Sequence, residues 1–298
     1  MGLTYPKQTP LCLFDECSRP VMVSLLSQEH AMTLLPLALL LFSPAQADDW
    51  DIDIDGIDIG GGDSKGQEMV TYQGNSVQKA PDFVEGTLAS IAHSGGTVTI
   101  NCVDRDGISA RIDYTLEGTN RDALKRFGDG IGLRVWGSSR GGGVQTRMPS
   151  SSSSIKSKNI PLVVSLPRNA KVKVSGGSGF IQVQGCEGAV AAANRSGDIV
   201  ISGKLATVSA TAPSGDVNID VDESASMTGS SKISASGNAR VRIPSDFGGR
   251  LTAKGSEVEV RQLVDGTQTS TLVQGSLGEG TASLSVSAKG TVKVETAN

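Results

Sequence analysis

The chain has 298 residues, a formal net charge of −4, 37 glycines and only 4% aromatic residues. Its length suits one or two domains with ample core, and the acidic balance offers no overall basic face of the kind nucleic acid demands. So few large rings beside so much glycine exclude a helical bundle and fit an all-β interior of Val, Ile and Ala.

Residues 1–47 read as a signal peptide. "MTLLPLALLLFSPAQA" (Met32–Ala47) joins an apolar run to Ala45-Gln46-Ala47, a small-x-small cleavage pattern. The run is shorter than the roughly 20 apolar residues that span a bilayer. Only Lys7 and Arg19 precede it, both far upstream, which suggests a mis-assigned start with Met22 or Met32 as the true one. No cysteine follows the run, so a lipid anchor is not expected. The expected product is an exported chain beginning near Asp48 with no membrane-spanning segment, placed in the periplasm, on the outer cell surface or in the medium.

Residues 48–86 form an acidic, Gly-rich leader or linker with few apolar residues. Within it, Asp51, Asp53, Asp55 and Gly56 match positions 1, 3, 5 and 6 of an EF-hand loop. The match fails further on, because position 8 is Asp58 and position 12, where a bidentate Glu is needed, is Gly62. The three aspartates are therefore weak metal candidates. The simpler reading is an acidic leader whose Ile52, Ile54, Ile57 and Ile59 allow a short edge strand.

Residues 87–166 form an N-terminal β segment. "GTVTINCVDRDGISARIDYTL" alternates on both sides of a turn at Gly107, which predicts a β-hairpin. "NRDALKRF" predicts one or two helical turns capped by Thr119 or Asn120, and "IGLRVW" a strand. "GSSRGGG" and "PSSSSSIKSK" read as surface loops.

From residue 167 to 298 a repeat sets in. The first inward apolar residue after each "SG"-like turn is Ile181, Ile199, Val217, Ala239, Val258 and Val292, with one weakly marked coil expected around Leu272. A second inward series starts the preceding strands at Val172, Val190, Val208, Ile233, Leu251 and Leu284. Two short alternating strands in each unit of about 20 residues are the signature of a solenoid. No single coil buries its own inward row, whereas coils stacked about 4.8 Å apart do. The expected fold is thus all-β, a single-stranded β-helix with coils of roughly 18–22 residues. The N-terminal segment would cap one end, and "GTVKVETAN" would form an abrupt, frayed or dimerising coil at the other.

"VDRDGISARI", "PLVVSLPRNAKVKVSGGSG", "GAVAAANRSGDIVISG" and "ATVSATAPSGDVNID" together resemble the bacterial "putative adhesin" family of β-strand-repeat proteins, a domain of unknown function, over about Thr87–Asn298. The resemblance implies a β-solenoid at the cell envelope. It carries no agreed catalytic residues.

Chemistry is sparse. Gly137-Ser138-Ser139-Arg140-Gly141 matches G-x-S-x-G, but no helix follows and the exported chain's one histidine, His93, lies upstream. His93 reads as a surface residue at a strand end. One histidine and two distant cysteines supply no four-ligand zinc site, and no cofactor is expected. Asp198 and Asp216 occupy equivalent positions in adjacent coils, where they either share a cation or suit the turn. Cys102 and Cys186 remain after export and form a possible disulfide in an oxidising compartment; two buried thiols are the alternative. Arg240 and Arg242 fall two coils beyond Asp216, so no mixed-charge cluster is evident and a polysaccharide-active enzyme ranks last. The leading expectation is a non-enzymatic envelope adhesin or scaffold whose partner is an unknown glycan or envelope or surface protein. The alternative is an envelope-stress or regulatory component acting through a protein partner.

Overall fold

The computed structural model describes residues 68–297. In chain order, β1 (Val70–Ala80), β2 (Leu88–His93), β3 (Val98–Val103) and β4 (Ile108–Gly118) precede α1 (Arg121–Gly130). Then come β5 (Gly132–Ser138), β6 (Gly141–Arg147), β7 (Ile155–Asn159) and β8 (Leu162–Pro167). The repeat follows as β9 (Lys171–Gly176) and β10 (Ile181–Cys186), β11 (Val190–Asn194) and β12 (Ile199–Gly203), β13 (Val208–Ala212) and β14 (Val217–Val221), β15 (Ser230–Ala235) and β16 (Ala239–Ile243). β17 (Gly249–Lys254), β18 (Glu257–Val260), β19 (Asp265–Gln268), β20 (Leu272–Ser276), β21 (Ala282–Ala288) and β22 (Thr291–Thr296) complete the list.

These strands make two 11-stranded sheets. Throughout the repeat the chain lays one strand in the first sheet, turns, and lays the next in the second. Each strand pairs in parallel with its counterpart one layer away. Period two then separates core from solvent. Val98, Ile181, Ile199, Val217 and Ala239 form one in-register inward column, and Ile100, Val183, Ile201, Ile219 and Val241 the next. All are buried, and each full aliphatic burial contributes about 1.5–3 kcal/mol.

The layers are not stacked in chain order. Ala239 of β16 pairs with Val292 of β22, and Val258 of β18 lies beyond it. In the opposite sheet β21 likewise lies between β15 and β17. The chain leaves β16 through the corner Pro244–Phe247, where the Phe247 N–H donates to the Pro244 carbonyl and the Phe247 ring is buried. It steps past one layer, builds β17 and β18, and returns to fill the gap with β21 and β22. The expected abrupt final coil is therefore a layer paired on both sides. The coil expected around Leu272 is instead the hairpin of β19 and β20, antiparallel to β17 at the sheet edge. A similar inversion occurs at the other end, where β2 and β3 lie inside the later β6 and β8.

The hairpin expected across Gly107 is not formed. β8 intervenes, paired with β3 on one side and with β4 on the other. Alternation located both strands, and the turn exists with Gly107 at φ +71°, but pairing partners come from far along the chain. β1 falls within the stretch expected to be a loose leader, so that expectation is corrected over Val70–Ala80. All 11 of its residues are in register with β4, and Gly74 makes room for the Tyr114 ring. The "GGG" expected in a loop lies in β6, because a Cβ at Gly142 or Gly143 would collide with the Trp136 or Ser90 carbonyl. "IKSKN" is also a strand, β7, paired to β4. α1 forms where expected but runs longer, over 10 residues, with Asn120 as its N-cap: the Ala123 N–H donates to Asn120 Oδ1 at 3.0 Å.

One register in the second series also differs. Val208 faces Ser231, and Ile233 faces Ala210. Ser231 occupies the inward place and is buried, and its Oγ accepts the Val208 N–H at 3.1 Å. One layer back the Val190 N–H donates to the Thr207 carbonyl. The hydroxyl replaces that carbonyl and so keeps the buried N–H paired.

Candidate functional site

Asp51, Asp53 and Asp55 lie outside the described residues. Asp198 and Asp216 lie one above the other, just after the turn glycines, as expected. Their carboxylates are used by the backbone. The Asp216 N–H donates to Asp198 Oδ1 at 2.8 Å, and the Asn238 N–H donates to Asp216 Oδ1 at 2.6 Å. Asn238 Oδ1 in turn accepts the Thr291 N–H at 2.9 Å. This is an Asx ladder in which each side chain caps the next layer's turn. Asn at the third position does the same work without a charge, so the ladder needs an acceptor oxygen and no cation. Among the described residues no group of three His, Cys, Asp or Glu converges on a point.

Cys102 and Cys186 are joined in a disulfide. Cys102 is the last residue but one of β3 and Cys186 the last of β10, neighbours in adjacent layers, where the extra residue Gly185 at φ +74° turns Cys186 toward its partner. The bond ties the early layer of β2 and β3 to the rest of the repeat. It closes a span of 84 residues that holds α1 and all the intervening strands.

His93 is not a surface residue. It is 3% exposed, with Nε2 on the Ile160 carbonyl and Nδ1 on Thr146 Oγ1, both at 2.8 Å. A carbonyl only accepts, so Nε2 carries the proton and Nδ1 takes the threonine hydroxyl. Burial pushes the imidazole below its ordinary value, against the opposing pull of the Ile160 carbonyl. This ring joins the layer of β2 and β3 to that of β6 and β8. The G-x-S-x-G pattern is a two-residue hairpin turn at Ser139-Arg140 between β5 and β6. The preceding Ser138 donates to the Gly141 carbonyl at 2.9 Å.

The described surface presents two unlike walls. On the sheet of β9, β11, β13, β15, β21 and β17, one outward column reads Ser175, Ala193, Thr211, Ser234, Ser287 and Lys254. Up to Ser287 these residues are short; Lys254 ends the column, and the parallel outward column carries Lys173 and Lys232. On the other sheet the outward columns are Thr99, Gln182, Val200, Asn218, Arg240, Lys293 and Glu259, and Asn101, Gln184, Ser202, Asp220, Arg242 and Glu295. Apart from Val200 these side chains are polar, and they grade along the stack from amides and hydroxyls to charges.

The charged end is a cluster that sequence order hides. Arg240, Arg242, Arg261, Gln262, Glu295 and Thr296 line a cleft of about 320 Å³. Glu295 is the hub, with Arg240 Nη2 at 2.9 Å, Lys293 Nζ at 2.9 Å and Arg261 Nη2 at 3.8 Å. Lys293 first and Arg240 second hold its carboxyl below the usual range. Glu259 pairs with Arg261 and Lys293, and Arg242 Nη1 lies 3.6 Å from Asp220. The expectation that no mixed cluster forms is thus corrected. Insertion of β22 places Glu295 and Lys293 beside the arginines of β16.

No family model matches the chain, and no curated protein matches it either. Among solved structures, a "putative cell adhesion protein" from Clostridium sporogenes is 13% identical, with 75% of this chain and 99% of that one covered at a TM-score of 0.40. A "putative adhesin" from Bacteroides fragilis is also 13% identical, with 78% and 100% covered at 0.29. Another from Parabacteroides merdae is 14% identical, with 74% and 95% covered at 0.27.

Proposed function

We propose that the chain is an exported, non-catalytic β-solenoid of the cell envelope that acts by binding, as an adhesin or scaffold. Its partner is a surface glycan or an envelope or surface protein. The observation that carries this reading is the wall of Gln, Asn, Ser, Thr and charged side chains, interrupted at Val200, that stands in register across the layers. Such a wall offers hydrogen-bond donors and acceptors at a fixed spacing of about 4.8 Å along a stiff support. The disulfide between Cys102 and Cys186 fits an oxidising destination, and the apolar run ahead of Ala45-Gln46-Ala47 fits an export signal. The serine of the hydrolase-like pattern lies in a hairpin turn, and the histidine serves the core.

The test is a glycan array probed with the purified protein, together with surface attachment of cells with and without the gene. Binding by the protein and reduced attachment of the deletion strain are expected. No ligand bound on the array, together with unchanged attachment of the deletion strain, would sink the reading.

A further inference from the structure

We infer that the arginine cleft of β16, β18 and β22 is an anion-recognition site for acidic glycans, chains bearing carboxylate or sulfate groups. The inference rests on the binding function proposed above and names its ligand class and place. The overall charge of −4 argues against a polyanion partner only if charge is spread evenly. It is not: the cleft lining carries Arg240, Arg242 and Arg261 with one carboxylate, Glu295, and with Lys293, Glu259 and Asp220 at its border the cluster holds four cations against three carboxylates.

The arginines retain donors for a ligand. A guanidinium has five N–H donors in a planar fork that fits a carboxylate or sulfate bidentately. Arg240 makes one hydrogen bond, to Glu295, and Arg261 one, to Glu259 at 3.4 Å. Arg242 makes none among the described residues; its nearest partner, Asp220, is 3.6 Å away. All three side chains are 45–62% exposed. Glu295, 14% exposed and held by three cations, fixes the fan of guanidinium groups at its base and leaves their outer edges to solvent.

A second observation points to the same place. Gln262 is the one non-glycine residue with positive φ, at 67°, among the described residues, and it lines this cleft. A backbone held in that region costs on the order of 1–3 kcal/mol, and such strain gathers at ligand sites. The Thr296 hydroxyl donates to Gln262 Oε1 at 2.6 Å, which fixes the side-chain amide with its NH₂ left to donate. The lip of the cleft is thus another donor beside the arginines.

A glycan fits better than nucleic acid or an acidic peptide. No aromatic ring lines the cleft to stack a base, and no apolar side chain lines it to hold a peptide anchor. Beyond Asp220 the neighbouring wall continues with Asn218, Ser202, Gln182 and Gln184 around Val200, and these amides and the hydroxyl suit hydroxyl groups. An extended acidic polysaccharide would place its anion in the cleft and its ring hydroxyls along this wall.

The test measures binding of the full chain to polygalacturonate, a sulfated glycan, a neutral glucan and polyglutamate by calorimetry at low and moderate salt. Arg242→Ala and Arg261→Ala are expected to weaken binding of the acidic glycans by about tenfold each, with Arg242→Lys intermediate because it keeps charge but loses the fork. The polygalacturonate and sulfated arms tell which anion is preferred. Unchanged binding in the alanine variants, with melting temperatures unaltered, would overturn the site while leaving the binding function standing. Equal or tighter binding of polyglutamate would overturn the glycan assignment. Failure of the wild-type chain to bind either acidic glycan also overturns this inference, and the glycan array and attachment assay then decide separately whether the broader reading survives.

Discussion

The inserted layer makes a prediction that a stack in chain order cannot. Lys232 of β15 is in register with Ser285 of β21, which is in register with Thr252 of β17; all three point outward. Adjacent strands are about 4.8 Å apart, so Lys232 and Thr252 are separated by about 9.6 Å across two layers. A disulfide spans Cα atoms about 4.4–6.8 Å apart. In a chain with Cys12→Ser and Cys17→Ser, the pair Lys232→Cys with Ser285→Cys should therefore oxidise, as should Ser285→Cys with Thr252→Cys. Lys232→Cys with Thr252→Cys should not. The first crosslink closes 53 residues, which on the chain-entropy model adds about 4 kcal/mol. For a domain of this size that corresponds to a rise in melting temperature of about 8–16 °C, reversed by reductant. Free-thiol counts, diagonal gels and thermal melts read all three outcomes. A bond between positions 232 and 252, with none between 232 and 285, would refute the layer order and with it the assembled arginine cleft.

Four further outcomes follow from the same geometry. Cys102→Ser should lower stability by about 2–5 kcal/mol, read from the urea midpoint, and reductant should bring the wild type to the same value. Protonation of His93 is disfavoured in the folded state, so the unfolded chain binds its proton more readily; stability should fall as pH drops below about 6.5, and His93→Gln should lose that part of the dependence in urea melts from pH 8 to 5. Asp216→Ala should cost about 1 kcal/mol by removing the acceptor of the Asn238 N–H, whereas Asp216→Asn should be nearly neutral in chemical denaturation, as Asn238 serves the same role unaided. Ile219→Ala, at the middle of an inward column, should cost about 2–5 kcal/mol on the same assay.

The features legible in the sequence are those whose cause is local. A period of two places Val217, Ile219 and Val221 inward because the pleat alone decides which side a residue faces. The "SG" turns are legible for a similar reason. Gly179, Gly197, Gly215, Gly237 and Gly290 form a column in which a Cβ on one would meet the backbone of the layer before, so side chains are barred at a fixed point in each unit. Asp198, Asp216 and Asn238 follow three of these glycines because the side-chain oxygen of each caps the next turn. What was not legible is non-local. Nothing in "GTVKVETAN" distinguishes a last coil from one slotted between two others, since its alternation serves either position equally. His93 was misread on the same ground: its partners Ile160 and Thr146 lie 67 and 53 residues away, brought near by the inversion at that end of the stack.

The arginine cleft combines both kinds of information. Period two says that Arg240, Arg242, Lys293 and Glu295 point outward, which was available from the chain. Their meeting was not available, because Arg240 and Glu295 are 55 residues apart and are neighbours only through the insertion of β22. Stacked in chain order, β18 would lie against β16, and Glu259 would stand beside Arg240 with no hub to spread the guanidinium groups. The hub carboxylate arrives on the inserted strand, and the strained Gln262 follows β18 on the far side of it. A change that destabilises the inserted layer from within, such as Val294→Asp at its buried face, should therefore dismantle the cleft as well as the stack. A change on its outer face, such as Glu295→Gln, should leave the fold near its original stability while freeing Arg240 and Lys293 from the hub. Binding of polygalacturonate should then shift without a matching shift in melting temperature. A parallel loss of both would mean that Glu295 serves the fold alone.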